Sequence, residues 1–203
     1  MLRNLDADTI DKIKRALNAL GYDYTHWTRV VMYRECFAWL AELKPECLDA
    51  MEISSGHLWQ SLGFRSFVGT AYPEFDICKD TLAQTFDVII ADQVFEHLLW
   101  PYRAAKNVYA MLKPGGYFMI TVPFLIRVHN IPNDCTRWTE QGLRYFLAEA
   151  GFSAEETRTG SWGNRACAKA NFRHWARRGW FGSLANEAAF PVAVWALARK
   201  PTL

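Results

Sequence analysis

Apolar and polar positions change their period several times along the chain, and between Phe86 and Phe124 the changes outline a complete strand–helix–strand unit. Asp87 to Ala91 is a short, nearly uninterrupted apolar run rich in β-branched residues, the pattern of a strand buried on both faces of a parallel sheet. From Tyr102 to Leu112 the positions Ala105, Val108, Tyr109 and Leu112 recur at helical spacing, and Lys113-Pro114-Gly115-Gly116 supplies the breakers that stop the helix. Tyr117 to Val122 is apolar again and reads as the next strand. A right-handed crossover makes the two strands parallel neighbours, and open sheets of this kind take ligands beyond the carboxyl ends of their strands. The working face is therefore expected to carry Asp92, Gln93 and Phe124.

Other stretches fill in the layers. Asp6 or Asp8 can cap a first helix with Ile10, Ile13, Leu17 and Leu20 on one stripe, Lys12, Lys14 and Arg15 toward solvent and Gly21 as its stop, the signature of an amphipathic cover. A second helix, about Trp27 to Leu43, carries Val30, Val31, Phe37 and Leu40 inward and ends before Pro45. Cys47 to Ile53 is a strand followed by the turn Ser54-Ser55-Gly56, and Ser66 to Thr70 is another. Thr139 caps a helix over Glu140 to Ala150, and strands are expected over Ser153 to Ser161 and Pro191 to Lys200. Between these strands Arg165, Lys169, Arg173, His174, Arg177 and Arg178 form a cationic run without acids. The spacing of Lys169, Arg173 and Arg177 puts them on one helical face, either solvated or turned to an anionic partner.

Composition narrows the class. A chain of 203 residues, half of them apolar, suits one well-buried domain, and a net charge of +2 offers no general field for nucleic acid or an anionic membrane. Acids near the start and the lack of a long apolar stretch argue against a leader or a membrane span, so a cytoplasmic protein is expected. Five dispersed cysteines without a CxxC pair argue against a disulfide framework, and no metal-ligand spacing is apparent, so no metal is expected. Nine tryptophans exceed what a core of this size needs, which points to an aromatic-lined pocket.

FDVIIADQVFEHL followed by LKPGGYFMITVPF resembles the central part of class I S-adenosylmethionine-dependent methyltransferases, the small bacterial type-11-like kind with EH after the fourth strand and LKPGG before the fifth. The resemblance implies an α/β fold with a three-layer Rossmann-like sheet, mostly parallel with an antiparallel last strand and helices on both faces. It also implies a single domain, with residues 1–45 as a helical cover and 46–203 as the core. The cofactor it implies is S-adenosylmethionine, with S-adenosylhomocysteine as product.

The residues of this chain that match the family pattern can then be given expected roles. Glu52 matches the acid before the glycine-rich loop and Gly56 its middle glycine, with Ser54 where a first glycine is usual and Ser55 between them. Asp76 matches the acceptor for the adenine amino group, with the backbone of Ile77 beside it, in a remnant of the third strand at Phe75 to Ile77. Ala71 stands where an acid normally holds the ribose, and Glu74 is the alternative. Asp92, Gln93 and His97 are expected near the cofactor sulfur. In the loop 123–139, His129 and Asp134 are the candidate catalytic or substrate-contacting residues, with Phe124, Arg127 and Arg137 toward substrate. Arg137-Trp138-Thr139 has the alternative role of holding that loop. Tyr24 and Trp27 belong either to an aromatic lid over the substrate or to a loop packed on the sheet, and Arg34 is either a carboxylate ligand or a solvated helix charge. The expected reaction is methylation of an O or N nucleophile on a small-molecule acceptor. RNA or protein acceptors, or a fold that binds without turnover, are the competing readings. A nicotinamide oxidoreductase is disfavoured by the missing G-x-G-x-x-G, and a homodimer is left open.

Overall fold

Alternation of apolar side chains along short strands builds the centre of the molecule. The computed structural model describes residues 7–202, with the side chains of Ala7, Asp8, Ile10, Asp11 and Lys14 outside the description. The proposed caps Asp6 and Asp8 thus lie outside it. The elements are α1 (Ala7–Ala19), β1 (Asp23–His26), α2 (Val30–Ala41), β2 (Asp49–Ile53), β3 (Ser66–Gly69), β4 (Phe86–Asp92), α3 (Pro101–Met111), β5 (Leu112–Pro123), α4 (Glu140–Ala150), β6 (Arg158–Trp162), α5 (Arg165–Asn171), β7 (Arg177–Gly179) and β8 (Ala193–Arg199). Six strands form one sheet in the order β3-β2-β4-β5-β8-β6; β2 pairs in parallel with β3 and β4, β4 with β5, and β8 runs antiparallel to both β5 and β6.

The two faces of the sheet are separate cores. Met51, Ile53, Ile89, Phe118 and Ile120 face α3 and α4. Their neighbours along the strands, Ala50, Val88, Ile90, Met119 and Trp195, face α2, α5 and Trp59. This is the three-layer Rossmann-like arrangement with an antiparallel last strand that the resemblance implies. At the amino ends of the strands, Lys113 reaches Asp49 at 3.0 Å and Asp87 at 2.8 Å, leaving the carboxyl ends for ligands.

Several expectations need correcting. Lys113 to Gly116 do stop α3, but they belong to β5 as a register shift between the Phe86 and Val88 pairings. A Cβ on Gly116 would lie 2.9 Å from the Lys113 carbonyl oxygen and 3.0 Å from that of Asp87, so glycine lets the backbones close there. Phe75 to Ile77 forms turns and no strand, leaving β3 as the sheet edge. The sixth strand starts at Arg158, because Ser153 to Thr157 is a turn closed by the Thr157 hydroxyl on the Ser153 carbonyl at 2.5 Å. Along the stripe expected of the first helix, Ile13 is 36% and Leu20 72% exposed, while Leu17 is partly buried.

The cationic run is not one helix. Helix α5 ends at Asn171, whose side chain donates to the Cys167 carbonyl at 2.8 Å and accepts from the Ala176 backbone at 3.1 Å, turning the chain before Arg177 enters β7. Its cations are matched elsewhere: Arg165 pairs with Glu187 at 2.7 Å and Arg178 with Asp23 at 3.4 Å. Strand β1 pairs antiparallel with β7, so the aromatic segment Tyr22 to Trp27 forms a small ribbon with its own partner.

Candidate active site in two adjoining cavities

Two cavities open at the carboxyl ends of β2 and β4. The first, about 390 Å³, is walled by Ile53, Ile77, Leu98 and Trp100, with Ser54, Asp76, Lys79, Gln93 and His97 among its polar lining. Its floor comes from the turn after β2. Glu52 is buried beneath that turn and accepts from the Ser55 hydroxyl at 2.5 Å and the Gly56 backbone at 3.3 Å. Ser54 takes φ 55°, a left-handed conformation in which glycine is usual, so the serine holds this turn at some local cost. Gly69 on β3 backs the same turn, since a Cβ there would lie 2.9 Å from that of Ser55. Asp76 accepts from the Cys78 backbone at 3.0 Å and pairs with Lys79 at 2.8 Å, and chiefly Lys79 holds its carboxyl below the usual carboxylate range.

The second cavity, about 300 Å³, is lined by His26, Arg29, Gln93, Glu96, His97, His129, Ile131 and Trp175. Gln93 and His97 line both cavities, so the two meet there. Gln93 takes φ 57° at the end of β4, and its amide donates to the Thr121 hydroxyl at 3.2 Å. His97 Nδ1 donates to the Asn133 carbonyl at 2.5 Å, because a carbonyl only accepts, and the ring presents Nε2 on its other side. Glu96 is 1% exposed; burial pushes its carboxyl up to about 8, and its Oε2 has no hydrogen-bond partner among the described residues. The His129 ring stands edge-on to His97 at 5.0 Å and to Trp175 at 5.3 Å, and burial, helped by His97 and Arg137 against the pull of Asp134, lowers its pKa. Burial and the charges of Arg177 and Arg29 lower that of His26 as well. Both shifts favour the neutral imidazole at His26 and His129.

The residues expected from the sequence divide by position. Ser54, Asp76, Ile77, Gln93, His97 and His129 line one or both cavities. Glu52, Ser55 and Gly56 stand behind the lining as the frame of the turn. Asp92 also stands behind it: it accepts from the Tyr33 hydroxyl at 3.0 Å and from Thr121 at 2.6 Å, tying α2 to the sheet. Burial and this neighbouring carboxylate push the Tyr33 hydroxyl up to about 12, so it stays a donor. Asp134 is 4% exposed; it accepts from the His129 backbone at 2.8 Å and pairs with the Arg137 guanidinium, so these two residues brace the loop. Trp27 donates to the Ser183 carbonyl at 3.0 Å, and Tyr24 sits in the β1–β7 ribbon, neither lining a cavity. Arg127 donates to the Arg173 carbonyl at 2.7 Å, Phe124 packs on the core, and Arg34 is exposed to solvent. Ala71 and Glu74 are exposed and outside the lining, so the end of β3 brings no carboxylate to the first cavity.

Sequence reasoning passed over Leu98, Leu99 and Trp100 in the first cavity; in the second it noted Glu96 beside His97, His26 in the aromatic segment and Trp175 in the cationic run without bringing them together. The apolar trio before Pro101 is the signal that could have found the first group, since Leu99 is 62% and Trp100 53% exposed ahead of a helix that buries its own apolar face. The second group comes from distant segments and has no local signature.

Comparison with known proteins agrees with the fold. Residues 11–174 match the family model described as a methyltransferase domain. A solved S-adenosylmethionine-dependent methyltransferase from Mesorhizobium loti is similar, at 16% identity and TM-score 0.54, over 80% of this chain and 96% of that one. A Haloferax volcanii methyltransferase, solved with its Trm112 activator, matches over 97% of both chains at 14% identity and TM-score 0.53. A phosphoethanolamine N-methyltransferase from Haemonchus contortus, solved with phosphomonomethylethanolamine and S-adenosylhomocysteine, matches at 11% identity and TM-score 0.55 over 84% of this chain and 53% of its own. No curated protein matches significantly.

Proposed function

The chain belongs to the methyltransferase-domain family, and from that premise we propose that it transfers the methyl group of S-adenosylmethionine to an oxygen or nitrogen nucleophile of a small acceptor. The cofactor takes the Asp76 cavity and the acceptor the histidine cavity. S-adenosylmethionine brings a methyl carbon already activated by its sulfonium, so the protein's share is alignment of the acceptor's lone pair. The observation that carries this reading is the junction of the two cavities at Gln93 and His97.

The lining suits the cofactor. Asp76, kept ionised, accepts and never donates, as an adenine amino group requires. Ile77, Leu98 and Trp100 offer apolar surface for the base, and the turn at Ser54 presents backbone to the methionyl part. Tyr72 and Lys79 stand on the lining where a ribose carboxylate is missing. A second cavity of about 300 Å³ favours a small acceptor over a polyanion, and Arg165 and Arg178 of the basic run are already paired with acids. Among the described residues no helix is long and apolar enough to cross a membrane.

Calorimetric titration with S-adenosylmethionine and S-adenosylhomocysteine tests the reading, with NADH as the control. Micromolar binding of both sulfur ligands, none of NADH, and a marked loss in Asp76→Ala are expected. Failure of both sulfur ligands to bind would refute it.

A further inference from the structure

We propose that Glu96, His97 and His129 form a divalent-cation site in the acceptor cavity. Two imidazoles and one carboxylate are a ligand set that takes zinc or a similar first-row dication and leaves positions open for another oxygen.

Three observations support it. One ligand atom from each of the three residues lies within 4.8 Å of the others, and Glu96 Oε1 stands 3.7 Å from His97 Nε2. Bonds of about 2.1 Å to a tetrahedral ion place ligand atoms roughly 3.4 Å apart, so small side-chain rotations close the set. Next, Glu96 Oε2 and His129 Nδ1 are buried without a hydrogen-bond partner among the described residues. A polar atom orphaned in this way costs on the order of 1–3 kcal/mol, and a cation satisfies it. Glu96 is 1% exposed and lines the second cavity, so the orphaned carboxylate oxygen belongs to the site.

Finally, the His97 ring is braced from outside as ligand histidines usually are. Its Nδ1 is held by the Asn133 carbonyl, which turns Nε2 toward Glu96. Asp134 Oδ2 lies 3.3 Å from His129 Nδ1, off line for a hydrogen bond, and accepts from the His129 backbone at 2.8 Å. The guanidinium of Arg137 is neutralised by Asp134, while Arg29, which donates to Tyr33 at 3.2 Å, remains the cationic neighbour within the lining.

What the ion would do rests on the methyl-transfer reading, whereas its binding does not. An acceptor hydroxyl coordinated there releases its proton to solvent more readily. The oxygen lone pair then forms the C–O bond as the C–S bond breaks, and that electron pair stays on the departing sulfur, now a neutral thioether. The site thus favours a hydroxyl-bearing acceptor.

The test is titration of chelator-treated protein with Zn²⁺ by calorimetry and with Co²⁺ by visible absorption. Saturable binding of one equivalent is expected. Glu96→Gln and His129→Gln should each weaken it at least about tenfold, and Asp134→Asn should weaken it less, since Asp134 holds the His129 backbone. His174→Ala, at an exposed position outside the lining, should leave it unchanged. No saturable binding, or binding indifferent to both Glu96→Gln and His129→Gln, would overturn the proposal. Circular dichroism checks folding, and if Glu96→Gln does not fold, His129→Gln on its surface loop decides alone. S-adenosylhomocysteine titrated into the same samples separates the two ideas: binding it without Zn²⁺ ends the cation site only, and Zn²⁺ without it ends the methyl-transfer reading only.

Discussion

The two cavities share two residues yet are made in opposite ways. The first is built from consecutive strand ends and the turns that leave them, walled by apolar side chains, with its polar groups already paired: Asp76 with Lys79 and Glu52 with Ser55. The second gathers His26 from before α2, Glu96 and His97 after β4, His129 from the loop after β5 and Trp175 from beyond α5, and it holds buried polar atoms without partners among the described residues. A satisfied, apolar cavity selects a ligand by shape and one or two hydrogen bonds. A cavity with unsatisfied nitrogen and oxygen atoms awaits something that binds them, since burial makes each one costly. The contrast supports the proposal that the cofactor takes the first cavity and the acceptor the second.

Breaking the side of the sheet that supports the second cavity should have the largest effect. Trp59 is fully buried, stacked on Phe37 at 4.6 Å and edge-on to Tyr33 at 5.7 Å, the residue that ties α2 to Asp92. Trp59→Ala should cost about 3–5 kcal/mol in urea unfolding. A loss under about 1 kcal/mol, ordinary for a surface change, would mean that α2 does not rest on Trp59.

Asp76→Ala acts on the first cavity alone. It should weaken S-adenosylhomocysteine about 10–100-fold, the loss of a hydrogen bond to a charged group, while Zn²⁺ affinity is kept. Because the Asp76 pKa is depressed, its ionised form persists as pH falls past the ordinary carboxylate value. Affinity in the wild type should therefore be flat from about pH 8 to about pH 5 and fall only below about 3.9, unless the protein unfolds first. A decline centred near neutrality would assign the recognition to another group.

Gly69→Ala should be milder. The new Cβ meets Ser55 at 2.9 Å and must push it from Glu52, so a loss of a few-fold in S-adenosylhomocysteine affinity is expected in the same titration, again without effect on Zn²⁺. The smallest difference is chemical and needs no variant. Cys47 and Cys135 are exposed and should react first with a disulfide reagent. Cys78 lines the first cavity with its thiol pushed up by burial, so it should react more slowly and be slowed further by S-adenosylhomocysteine, which should not protect Cys135. Cys36 and Cys167, buried, the latter pushed up to about 12, should react only in denaturant.

The same contrast explains what could be read in advance. Strands β2, β4, β5 and β8, helices α3 and α4, the Thr139 cap and the placement of Ser54, Asp76, Ile77 and Gln93 were legible because each depends on residues near it in the chain. Turn geometry escaped where tertiary contacts overrode spacing. Asn171 ended a helix that the spacing of Lys169, Arg173 and Arg177 would have continued, and Phe75 to Ile77 had no neighbouring strand to pair with. The second cavity was legible only in part. His97 and His129 were visible as singletons, but the joining of Glu96 to them requires the Cys135 backbone to donate to the Glu96 carbonyl at 2.7 Å, which folds the loop over the turn after β4. Asp134, a candidate substrate contact in the sequence, is paired with Arg137, for which the sequence also offered the role of holding the loop.

A crystal structure with S-adenosylhomocysteine tests the two-cavity arrangement most directly. The expected density places adenine beside Asp76 and Ile77, with the sulfur directed to Gln93 and His97 and the histidine cavity open beyond it. Density in the histidine cavity, or a sulfur directed away from Gln93, would contradict the assignment.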